Sequence, residues 1–152
     1  MLPPALAARY AALPSEVLAV LSAVDLCSHP NSQSWFITRD AIETSHGGVA
    51  WSACEQNVID EVPEVRAEVT AFWDVHFPLV LTTHSDFDFF ALELDGAPAP
   101  GSVVHGCAFE VADEPLRVLS PTFFAFLDEL GRASELVKVA YPWDLILQAW
   151  DS

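Results

Sequence analysis

The sequence predicts an α+β domain: an antiparallel sheet of about five or six strands packed against helices on one side. Three observations lead there. Apolar residues recur at helical spacing near the start, again after Pro63 and again after Pro121. Between residues 79 and 119 the apolar runs are short, partly alternating, and broken by turn residues, as strands are. Helices, then strands, then helices is an order that favours an antiparallel sheet over a doubly wound parallel one.

Leu6, Tyr10 and Leu13 follow Pro3-Pro4 at the spacing of a first helix. Pro14 starts a second, whose stripe is Val17, Leu18, Leu21 and Val24, with Glu16 near its positive end. Ser28 to Ser34 is polar and predicts a loop, Trp35-Phe36-Ile37 a short strand, and Thr38 the cap of a brief helix. Gly47-Gly48 predicts a turn and Val49-Ala50-Trp51 a strand. From Pro63, Val65, Val69, Phe72, Trp73 and His76 line one helix face, which Pro78 would end. Leu79-Val80-Leu81 is a strand, and Asp86 to Leu94 alternates, with Phe90, Leu92 and Leu94 opposite Phe87, Phe89 and Ala91. Asp95 to Gly101 is a hairpin turn, and Val103-Val104, Ala108 to Val111 and Leu116 to Leu119 supply further strands. Ser120 caps a helix through Phe123, Phe124, Leu127 and Leu130 that stops at Gly131, and a helical tail breaks near Pro142.

The chain has 152 residues, 52% of them hydrophobic, with a net charge of −16. A domain takes roughly 100–200 residues, so residues 1–152 form a single domain, with a core about 13–130 and a C-terminal helical extension 134–150. The hydrophobic content excludes a disordered acidic tail. Nucleic acid and anionic membrane would both repel such a charge, whereas a basic partner would be drawn to it. Cys27, Cys54 and Cys107 are odd in number and form no CxxC pair, and the start lacks the basic region of a secretory signal. A cytoplasmic protein is the expectation.

The most site-like string is His84-Ser85-Asp86-Phe87-Asp88, since an extended chain puts His84, Asp86 and Asp88 on one side. One nitrogen and two carboxylates suit a divalent metal or a base with its orienting group. The plain alternative is a solvated turn entering a strand. Nucleophile motifs, phosphate-binding Gly-rich loops and HExxH are missing, and Lys138 is the one lysine, which argues against an enzyme. Acids gather at Asp60, Glu61, Glu64 and Glu68, at Asp86, Asp88, Glu93 and Asp95, at Asp113 and Glu114, and at Asp128 and Glu129. A surface built for solubility alone mixes signs, so this one points to a cationic partner. Trp143 and Trp150 are either an exposed aromatic patch or, more simply, the docking face of a terminal helix.

Three stretches resemble the SUKH superfamily, which includes the fungal cell-wall synthesis regulators and many bacterial immunity proteins. Leu13-Pro14-Ser15-Glu16-Val17-Leu18-Ala19-Val20-Leu21 looks like its N-terminal Leu-Pro helix. Phe77-Pro78-Leu79-Val80-Leu81 followed by Asp88-Phe89-Phe90-Ala91-Leu92-Glu93-Leu94-Asp95 looks like its central hairpin. Gly101 to Gly106, with Val118 to Leu130, looks like its closing strand and C-terminal helix. The family's Gly-rich turn is here His84-Ser85-Asp86-Phe87, and its Asn-Gly-Gly is missing near Asn31.

The resemblance implies a non-catalytic protein with no cofactor that binds and silences a cognate protein toxin. Combined with the charge, it points to a basic, nucleic-acid-targeting toxin such as a nuclease or deaminase. The partner-binding residues expected are Asp60, Glu61, Glu64, Asp86, Asp88, Asp113 and Glu114. A regulatory scaffold without a toxin, and a small metal-dependent hydrolase around His84, Asp86 and Asp88, are the alternatives.

Overall fold

A computed structural model describes residues 4–23, 34–37, 52–82, 88–110, 116–136 and 138–147. The expectations for Val24, Cys27, residues 28–33, Thr38, Gly47-Gly48, the strand at 49–51 and Trp150 lie outside the described residues.

Helix α2 (Ser15–Ala23) forms as its stripe predicts, burying Val17 and Leu21, whereas α1 (Pro4–Arg9) is shorter than its stripe: Leu6 is buried from the helix, and Tyr10 and Leu13 are buried from the turn that follows it. Helix α3 (Ala53–Glu61) buries Cys54, Val58 and Ile59. A 3₁₀ turn at Pro63–Val65 then leads into α4 (Arg66–Asp74), making an elbow. The α4 helix stops at Asp74, earlier than its apolar stripe suggests, and His76 begins the next strand.

The body of the sheet is four antiparallel strands: β2 (His76–Thr82), β3 (Asp88–Glu93), β4 (Val103–Cys107) and β5 (Arg117–Ser120). A three-residue strand, β1 (Ser34–Phe36), joins the edge beside β2, so neighbours in space are neighbours in sequence throughout. Mixed helix and antiparallel sheet is the predicted class, but the body of the sheet has four strands rather than the five or six predicted, with only the three-residue β1 added at its edge. Residues 108–110, read as a strand, form a 3₁₀ turn instead. Pro78, read as a helix terminator, sits inside β2 at a register shift.

The expectation of helices on one side is also corrected. Phe89 and Phe90 are both fully buried, and successive strand side chains face opposite ways. Phe89 packs on Phe72 and Trp73 of α4, with ring centroids 5.7 and 4.9 Å away. Phe90 packs on Phe126 of α5 (Phe123–Ser134), and Phe126 in turn on Trp143 of α6 (Trp143–Leu147). Helices therefore cover both faces, and one hydrophobic core joins residues from Leu6 to Ile146. Trp143 is partly buried and packs against that core. The cap of α5 is Thr122, not Ser120: its hydroxyl accepts the Ala125 N–H at 3.0 Å, while Ser120 donates to Glu129. The α5 helix also runs past Gly131 to Ser134. No described helix is long and apolar enough to cross a membrane.

Candidate functional site

Strand β3 carries a carboxylate near each end, one on each face of the sheet. Asp88 shares its face with Phe90, and Glu93 shares its face with Phe89. Both acids are buried, at 8% and 3% exposure, and each meets a histidine on a neighbouring strand. A buried carboxylate requires such a partner.

Glu93 and His76 face each other across β2 and β3, with His76 Nε2 3.2 Å from Glu93 Oε1. His76 Nδ1 lies 2.7 Å from the Phe72 carbonyl. A carbonyl only accepts, so Nδ1 carries a proton, and a second proton lies between Nε2 and the carboxylate. Glu93 Oε2 accepts the Ala99 N–H at 2.7 Å. The pair thus ties the end of α4 to the β3–β4 turn, residues 94–102. That turn reverses at Gly96, whose φ of 98° suits a residue without a side chain. The His76 ring also stacks on Phe72, 3.9 Å between centroids and 9° from parallel.

Beside this pair the sheet is open. A groove of about 360 Å³ is lined by Phe72 from α4, His76, Glu93, Pro98 and Ala99 from the turn, and Leu116 and Val118 at the β5 edge. Val118 is 55% exposed.

On the opposite face, His105 Nε2 lies 2.9 Å from Asp88 Oδ1. The His105 ring packs near Phe90, and Tyr141 meets it edge-on at 5.5 Å. Burial, with the charge of Asp88, pushes the Tyr141 phenol up. Cys107 stands opposite Asp88 in the strand register, and burial, then Cys107 and Asp88, push the Cys54 thiol well above its usual range.

A third polar junction is structural. Arg9 reaches from α1 to both carboxylate oxygens of Glu55 on α3, to Asp74 at 2.9 Å and to the Thr70 carbonyl of α4. Its hydrogen bond to Glu55 raises the guanidinium pKa further. Tyr10 donates to the Trp73 carbonyl at 3.0 Å, and burial pushes its phenol up as well.

Among the predicted partner-binding residues, Asp60, Glu61 and Glu64 are exposed on the elbow between α3 and α4, with Glu68 one turn further on. None of these four makes an ion pair among the described residues. Asp88 does not join them: its carboxylate is turned inward to His105, which corrects the expectation that it is a surface contact. Asp86, Asp113, Glu114 and His84 lie outside the described residues. Among the described residues, no group of three or more His, Cys, Asp or Glu side chains is placed to hold a metal. His76, His105 and Glu93 are the chemistry that sequence reasoning missed. The sequence did not join them: His76 was read as part of a helix face, and although His76 and Glu93, and Asp88 and His105, are each seventeen positions apart, only the observed strand pairing brings each pair together.

Comparison with known proteins gave no match: no family model, no curated protein and no solved structure resembles this chain significantly.

Proposed function

We propose that this chain is a binding protein of the SUKH-like immunity type, which silences a basic protein toxin by covering its cleft with an acidic surface. The observation that carries the reading is the elbow. Asp60, Glu61, Glu64 and Glu68 stand exposed on one bend of chain without ion-pair partners among the described residues, in a protein of net charge −16. Clefts that handle nucleic acid are cationic, so a nuclease or deaminase domain is the favoured target, met in the cytoplasm. The stretches that resemble SUKH fall on α2, on β2 and β3, and from β4 to α5, and the elbow lies between the first and the second of them in the chain.

Co-expression with a basic toxin domain encoded beside this chain tests the reading. Growth is restored and the two proteins co-purify; toxicity unaffected by the chain overturns it. Electrostatic steering raises encounter rates by roughly 10 to 10³-fold and fades as salt rises. The association rate therefore falls several-fold between low and physiological salt, and reversing Glu61 and Glu64 to lysine slows it further. A rate indifferent to both removes the acidic elbow from the mechanism.

A further inference from the structure

The groove beside the His76–Glu93 pair is open, apolar and unused by the reading above. We infer that it seats one large aromatic side chain, carried on a lysine- or arginine-rich segment of the partner protein. This deepens the proposed function, resting on its basic protein partner and naming a contact.

Size comes first. Sites for small ligands usually enclose about 300–1,000 Å³, and this groove, at about 360 Å³, is at the bottom of that range. It suits a single ring system rather than an extended ligand. Chemistry narrows the occupant further. Phe72, Pro98, Ala99, Leu116 and Val118 offer carbon surface. The polar groups at the base are already engaged: Glu93 with His76 and the Ala99 N–H, and His76 with Glu93 and the Phe72 carbonyl. Among the described lining residues, no polar side chain is left without a partner for a polar ligand. An aromatic one meets the stacked Phe72 and His76 rings.

Charge identifies what flanks the ring. Glu68 precedes Phe72 by one helical turn on the same side of α4, and Glu64 precedes Glu68 by four residues. A helical side chain leans toward the N-terminus, which brings Phe72 over the turn that carries Glu68. Asp95 is exposed on the turn that supplies Pro98 and Ala99. Arg117 adjoins Val118 but alternates to the other face, toward Tyr141, and so does not offset the acids at this rim. The acidic elbow thus leads along α4 to the mouth of an apolar slot. Aromatic residues dominate the energetics of protein interfaces when they fill such pockets.

The test titrates the full chain, by calorimetry, with three capped pentapeptides: Lys-Lys-Trp-Lys-Lys, Lys-Lys-Ala-Lys-Lys and Glu-Glu-Trp-Glu-Glu. The first binds about tenfold tighter than either of the others. Val118→Trp, which fills the slot from its exposed wall, abolishes that advantage, while Leu136→Trp, an equally exposed site elsewhere, preserves it. Should Val118→Trp fail to fold, Glu68→Gln with Asp95→Asn, two exposed changes, lowers affinity for the first peptide several-fold. Equal binding of the alanine peptide overturns the slot, equal binding of the acidic peptide overturns the charged rim, and no binding overturns both. Growth protection without peptide binding sinks the slot alone; peptide binding without protection sinks the immunity reading and leaves the slot standing.

Discussion

Two sets of acids look alike in the sequence and differ completely in the fold. Asp60, Glu61, Glu64 and Glu68 lie on the elbow between α3 and α4, open to solvent. Asp88 and Glu93 lie on β3, every residue of which is buried, and each is held by a histidine from a neighbouring strand. The first set keeps its charge available to a partner; the second uses it to fix the sheet to its surroundings. A count of negative residues is therefore a poor measure of negative surface. Which helix or strand carries the acid decides its role.

The largest effect tests the buried set. His76→Phe keeps the ring that stacks on Phe72 but removes the group facing Glu93 Oε1. Removing one partner of a buried pair costs about 3–5 kcal/mol, because the other charge stays desolvated. Urea unfolding of this variant shows a loss in that range, and a second change, Glu93→Leu, restores part of it. If His76→Phe is as mild as a substitution on the elbow, the two sets are not distinct. Gly106→Ala follows. A Cβ at this position of β4 would lie 2.6 Å from Leu116 Cδ2 and 2.9 Å from Phe89 Cζ. Overpacking of this kind costs about 1–3 kcal/mol, whereas Gly131→Ala, where a Cβ meets nothing within 4 Å, shows no such penalty.

Much of the fold was legible because its signals are local. The run Phe89, Phe90, Ala91 and Leu92 gave β3, the stripe Val17–Leu21 gave α2, and Leu6–Tyr10–Leu13 gave the place of α1 but not its end at Arg9. What was lost is what depends on distant partners. Helix α3 is polar through Glu55, Gln56 and Asn57, and only Cys54, Val58 and Ile59 turn inward, too few to mark it beforehand. Pro78 looked like a helix stop because nothing local shows that it stands in a strand, at a register shift in the pairing of β2 with β3. The site suffered most. His76 continued the α4 stripe, and only the register that sets it opposite Glu93 reveals its partner. The acids of the elbow are exposed, as runs of charged residues usually are.

Helix α3 carries both kinds of environment, with Cys54 inside and Asp60 and Glu61 outside. Burial pushes the Cys54 thiol up, so the folded chain holds that proton to higher pH than the unfolded chain does. Such a group contributes its full stability below the unfolded value, near pH 8.5, and loses it as pH climbs above. Between about pH 8.5 and 9.5 the unfolding free energy falls by about 1 kcal/mol. Cys54→Ala, less stable at neutral pH, flattens that decline. A parent protein whose stability is constant over this interval would mean that Cys54 is open to solvent, like the acids at the other end of its helix.

The smallest effect is the most specific to the elbow. Glu64 and Glu68 are four residues apart and both exposed, and like charges at that spacing repel by about 0.2–0.5 kcal/mol. Glu68 also lies in the first turn of α4, where the helix dipole favours a negative charge by a similar amount. The two positions therefore respond differently to loss of charge. Glu64→Gln relieves repulsion and stabilises by a few tenths of a kcal/mol at low salt, whereas Glu68→Gln also loses its dipole interaction and changes stability hardly at all. Raising ionic strength erases the difference, because exposed charges are screened. Paired thermal melts at low and high salt resolve it. A Glu64→Gln variant that is destabilised, or whose effect persists in high salt, would show that this carboxylate has a fixed partner and is not free to meet a cationic surface.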